Sequence, residues 1–155
     1  MGPVLAQLEQ SGLATWIRES GVLYGYPLIL FLHTLGLSTL VGLNSAIDLR
    51  LLGIAPGIPL QSLQKTFGLL WAGLALTVVT GTLLFLSDAV KHASNPAFYV
   101  KLAFVILAVI ALVAVRKRIV GGGQSSRRLA AVSLGCWFMA LSAGRLMAYV
   151  SEFVS

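Results

Sequence analysis

The sequence predicts an all-α integral membrane protein, an antiparallel four-helix bundle with an amphipathic N-terminal helix lying in the interface. Three observations carry this. Of 155 residues, 57% are hydrophobic and only 10% are charged, whereas a soluble domain carries about 25% charged residues. Mean hydropathy is +0.90. Four apolar segments, each near the ~20 residues that cross a hydrocarbon core, use up most of the chain. No room remains for a soluble domain, so residues 1–155 read as a single transmembrane domain.

Residues 3–19, PVLAQLEQSGLATWIRE, are too polar to span. Val4, Leu5, Leu8, Leu13, Trp16 and Ile17 fall roughly on one helical face, with Gln7, Glu9, Gln10 and Arg18 mostly elsewhere. That pattern predicts one helix lying on the membrane surface, broken by Ser20-Gly21. No signal peptide is expected, because the first residues carry no positive charge ahead of an apolar core. The first span covers about 24–49, with Pro27 near its start, where a missing N–H does no harm. IAPGIPLQS reads as a turn and a short lead-in. The second span, about 67–88, is uncharged until Asp88. VKHASNP reads as a loop ending at Pro96, a helix-start signal. The third span covers about 97–118, RKRIVGGGQSSRR is a basic Gly-rich loop, and the fourth span covers about 129–150. Gly36, Gly42, Gly73, Thr77, Gly81, Ala140 and Gly144 are small residues suited to close helix packing.

Charge sets the expected orientation. Arg50 and Lys65 follow the first span, and Arg116, Lys117, Arg118, Arg127 and Arg128 follow the third. The opposite side has Arg18, Lys91 and Lys101. The positive-inside bias then puts both termini outside, in the periplasm of a bacterial inner membrane. The same bias accounts for the net charge of +6. Nucleic acid is excluded as a partner, because the basic residues flank apolar segments and form no continuous soluble face. The one cysteine, Cys136, allows no internal disulfide and no CxxCH haem attachment.

Depth along each span follows from the rise per residue. His33 lies ~9 Å in from Pro27, Lys101 ~6 Å in from Ala97, and Arg145 ~8 Å in from Val150. All three fall in the outer half, on three different helices, with Asp88 and His92 at the mouth. Polar groups at such depth face a bundle interior or a cavity. Lys101 can also snorkel outward, His92 can be a solvated loop residue, and His33 can simply bond a neighbouring helix. Arg145 sits on a helix that runs outward, so its side chain is expected to lean toward the membrane centre. At the other end, His33, Leu37, Leu40, Asn44 and Asp48 form one stripe of the first span. Asn44 and Asp48, an i,i+4 pair, mark a secondary polar site: helix-to-helix glue or, alternatively, a quinone or proton site.

A histidine facing cations on neighbouring helices suits haem b. His33 would be the metal ligand, Lys101 and Arg145 would neutralise the propionates, and His92, Met139, Met147 or nothing would supply the second axial position. Phe31, Trp71, Phe104 and Phe138 are candidates to line the ring. Copper has weaker support, with two histidines and no Met-x-x-Met cluster. No catalytic residue is assigned: there is no Ser-His-Asp constellation and no phosphate loop.

FLHTLGLSTLVGLNSAIDLRLLG, a T-x-x-T-G span from Thr77 to Gly81, and PAFYVKLAF together resemble a bacterial family of small four-helix membrane proteins of uncharacterised function. More distantly they resemble HemJ-type protoporphyrinogen oxidases and CopD-type copper-resistance membrane domains. The resemblance covers roughly residues 25–118. HemJ-type proteins carry a histidine on an early helix and open a later one with W-L-x-x-K-L. His33 and Lys101 match those positions, and the tryptophan is absent here. The resemblance implies haem and redox chemistry on porphyrins.

Three readings stay open. The first is a haem-b membrane redox or electron-transfer protein, an oxidoreductase or a subunit of one. The second is a cofactor-free accessory subunit of a larger membrane complex. The third is a metal or small-molecule transporter, against which the uncharged second span and the lack of a broken helix argue. The candidate partners are the lipid bilayer, quinone or a larger membrane complex, and a second copy of the chain.

Overall fold

The computed structural model describes residues 2–20, 24–121 and 127–153. Gly21 of the expected break and the centre of the Gly-rich loop lie outside them. Every regular element is a helix among the described residues: α1 (Gly2–Glu9), α2 (Gly12–Glu19), α3 (Tyr26–Leu52), α4 (Leu60–Lys65), α5 (Phe67–Ser87), α6 (Ala89–Ser94), α7 (Pro96–Val120) and α8 (Arg127–Phe153). Four of these, α3, α5, α7 and α8, are long and apolar enough to cross a membrane. Large side chains on their outer faces stay uncovered, among them Phe31 at 62%, Ile110 at 59% and Phe138 at 69% exposure. An apolar surface of this extent suits lipid and not water.

Helix ends are set by local chemistry. Pro27 occupies the first turn of α3, and Gly53 ends it at φ +87°, a left-handed conformation that a Cβ would oppose. Its N–H bonds to Arg50 O, and Ile54 N bonds to Leu49 O. Asn95 caps α7: its Oδ1 accepts from Ala97 N at 3.0 Å, and Pro96 follows at the first helical position.

Two expectations are corrected. The N-terminal segment is two helices, because the Ser11 hydroxyl accepts from Ala14 N and starts a second helix at Gly12. The buried face of that second helix is Ala14 and Ile17, while Leu13 and Trp16 are exposed. The segment VKHAS is a helical turn and not a loop, with His92 N and Asn95 N bonded back to Asp88 O and His92 O.

α3 packs along α5 and α8, and α7 packs along α8. Burial against lipid does not drive such contacts; close approach does. Gly36 and Gly73 supply it. A Cβ on Gly36 would stand 2.8 Å from Thr77 Oγ1 and 3.1 Å from Gly73 O, and one on Gly73 would stand 3.0 Å from Gly36 O. Gly42 meets nothing, so it takes no part in this packing. Leu40, Ile47, Leu70, Leu112, Val115 and Trp137 form the main core, toward the end of α3. The other end is closed by Ile17, Ile29 and Leu84. There Arg18 donates to Ser87 O at 2.8 Å, meeting a free carbonyl at the end of α5, and to Glu9 O at 2.9 Å.

Candidate functional site

A cavity of about 550 Å³ opens at the end of the molecule where α3 begins. This is within the range of small-molecule and cofactor sites, ~300–1,000 Å³. It gathers His33 from α3, His92 from α6, Lys101 from α7 and Arg145 from α8 on one wall set. These are the four residues whose type and depth marked them in the sequence. Lys91, Asp88, Asn95 and Met147 join them. The lining thus carries three cations, Lys91, Lys101 and Arg145, against one carboxylate, Asp88. Such a balance favours an anionic ligand.

His33 is held in one tautomer by its neighbour. Its Nδ1 lies 3.0 Å from Thr80 Oγ1. The single Thr80 hydroxyl hydrogen goes to Leu76 O, 2.6 Å away, so toward the histidine Thr80 can only accept. Nδ1 therefore carries the proton and donates, and Nε2 keeps its lone pair. A partner on the second nitrogen is how metal-binding histidines are usually oriented. Gly81 makes room for the ring: a Cβ there would stand 3.0 Å from His33 Cε1.

His92 repeats the arrangement. Its Nδ1 lies 3.0 Å from the Asp88 carbonyl, which has no hydrogen to give, so Nε2 is again the free nitrogen. Its ring sits edge-on to Phe85 and Phe98, with centroids 6.3 Å and 6.0 Å away. Those two phenyl rings stack at 5.3 Å. His92 is thus half-buried on an aromatic wall, not a solvated loop residue.

Lys101 lays its stem along Gly144, where an added Cβ would meet Cδ and Cε at 3.6 Å, an ordinary contact. Arg145 departs from expectation. Its guanidinium lies 5.9 Å over the Tyr149 ring, one turn further along α8, so it turns toward the helix end and not toward the membrane centre. Cation–π attraction to that ring outweighs the usual backward lean. Arg145 is exposed and stands at the cavity mouth.

The expected ring-lining residues are elsewhere. Phe31 and Phe138 are exposed, and Trp71 and Phe104 pack on the main core. The aromatic lining is Tyr26, Phe85 and Phe98. Of the two methionines considered as ligands, Met147 lines the cavity and Met139 does not. The roles of Thr80 and Gly81 had a signal in the sequence, the T-x-x-T-G run whose last two residues meet His33.

Among the described residues, no three His, Cys, Asp or Glu side chains gather to hold a metal ion. A porphyrin brings its own equatorial nitrogens and asks the protein only for axial ligands. The donor set here, two imidazoles with free Nε2 and an excess of cations, fits that request better than it fits a bare copper ion. At the far end of α3, Asn44 Nδ2 donates to Asp48 Oδ2 at 2.6 Å and to Ser133 Oγ at 2.9 Å. The secondary polar site therefore includes Ser133, which a lone serine in an apolar span does not announce. No family model matches this chain, and neither does any curated protein or solved structure.

Proposed function

We propose that this chain is a haem-b-binding integral membrane protein of electron transfer. Its cavity holds the cofactor in the outer half of an antiparallel four-helix bundle. The carrying observation is the convergence of His33 and His92, both with Nε2 free, with Lys91, Lys101 and Arg145 around one cavity. His33 would hold the iron, and His92 is the candidate for a second ligand. Lys101 and Arg145 would meet the propionates, and Leu30, Leu84, Phe85 and Phe98 would keep water from the ring. When bound, haem supplies a one-electron redox centre. The distant resemblance to HemJ-type proteins, carried by His33 and Lys101, points the same way.

The antiparallel arrangement is supported by which residues meet: His33 with Thr80, Asn44 with Ser133, Lys101 with Gly144, and Arg116 over Phe67. The basic connections support an orientation with the cavity end, and both termini, on the periplasmic side of a bacterial inner membrane. α1 and α2 lie there as interfacial helices, held by Arg18 and Ile17.

The absorbance spectrum tests the reading. Protein purified after expression with ample haem should show a Soret band, and His33→Ala should lose it. A colourless wild type, or a full haem spectrum in His33→Ala, overturns it in favour of the cofactor-free accessory subunit.

A further inference from the structure

The polar group at the far end of α3 shares no residue with the cavity and stands apart from the haem reading. Asn44, Asp48 and Ser133 are each 0% exposed. The two hydrogens of the Asn44 amide go to Asp48 Oδ2 and Ser133 Oγ. That leaves Asp48 Oδ1 and Asn44 Oδ1 buried with no partner.

No cation compensates the carboxyl. The one ion pair among the described residues is Arg18–Glu9, at the opposite end. The charged groups around Asp48 are otherwise engaged or exposed. On α3 itself, Arg50 donates to Ile58 O. From α8, Arg127 reaches toward Gly53, and Arg128 is exposed. From α7, Arg116 lies over Phe67 and Trp71, with Lys117 and Arg118 exposed; from α4, Lys65 is exposed. α5 carries no charged residue. Cys136 on α8 is the remaining titratable neighbour, and it is a buried thiol.

An enclosed carboxylate without a cation neutralises itself by taking a proton. We infer that Asp48, with Asn44 and Ser133, is an intramembrane proton-binding site that exchanges with the aqueous phase at the C-terminal end of α3. Leu52, the last residue of that helix, is ~6 Å further along the axis, so the path is short. A proton on Oδ1 turns one of the two stranded acceptors into a donor. The amide orientation supports the same ligand. As placed, an NH₂ group sits among the oxygens and repels a metal cation. Turned over, it would set two oxygens 2.6 Å apart, a contact that requires a proton between them.

The chain has two aspartates, Asp48 and Asp88. In an Asp88→Asn variant labelled with ¹³C-aspartate, the only labelled carboxyl is that of Asp48. Solid-state NMR of this variant in lipid nanodiscs reads its protonation directly, with no substitution at the site. The expected result is a neutral-acid signal that converts to carboxylate as pH rises, and that is the same in sodium and in choline buffer. A carboxylate signal at every pH overturns the inference. So does a signal that changes with sodium, which would make the site a cation site. A neutral acid that never converts also overturns it, because the proton would then be structural.

Discussion

Thr80→Val tests the cavity at the atom that prepares His33. Valine keeps the shape and removes the hydroxyl. Thr80 is 3% exposed, so water cannot easily replace that oxygen. The Leu76 carbonyl keeps its helical partner, and the loss falls on His33 Nδ1–H. An unpaired buried donor costs about 1–3 kcal/mol. Losing the outer partner of a metal-bound histidine weakens metal affinity about 10–100-fold, which is about 1.4–2.8 kcal/mol. The two figures agree. His33 is only half-buried, so the smaller end, about tenfold, is expected. The assay is titration of haem into protein expressed without it, reconstituted in nanodiscs and followed at the Soret band. Thr82→Val is the control: its hydroxyl donates to Val78 O on the exposed face, away from the histidine. Equal haem affinity in the two variants would refute the argument that Thr80 orients the ligand.

Further outcomes follow from the same geometry. Lys101→Met should speed haem loss more than Arg145→Gln, because Arg145 is exposed and water and salt screen it; transfer of haem to an excess of apomyoglobin measures both rates, and the reverse order would contradict the placement. Gly36→Ala should lower the thermal midpoint, since overpacking costs about 1–3 kcal/mol and exceeds the ~1 kcal/mol that alanine gains in a helix. Gly42→Ala, with nothing to strike, should leave the midpoint unchanged or raise it, and similar midpoints for the two variants would argue against the α3–α5 contact. In a Cys136→Ser background, Ser94→Cys should react with an impermeant maleimide from outside the cell and Gly57→Cys only after lysis; the opposite pattern would invert the proposed orientation.

The sequence by itself determined the spans. Apolar length is a property of each segment alone, so the four long helices are legible without knowing what they touch. Depth was legible too, because rise per residue converts position into height, and it singled out His33, Lys101 and Arg145. The break at Ser11 and the helical turn at VKHAS were not legible, since both rest on short-range bonds that compete closely with alternatives. Rotation about each helix axis was decided only by the tertiary structure. A helix uniformly apolar enough for lipid carries little periodic signal, so the sequence could not tell that Phe31 and Phe138 face outward while Phe85 and Phe98 face the cavity. Partner choice was decided there as well. Asn44 and Asp48 pair through the helical repeat, which the sequence shows. Ser133 reaches them from 89 residues away, and Thr80 reaches His33 across 47. The His33–Thr80 contact follows from Gly36 and Gly73, which let the backbones of α3 and α5 meet.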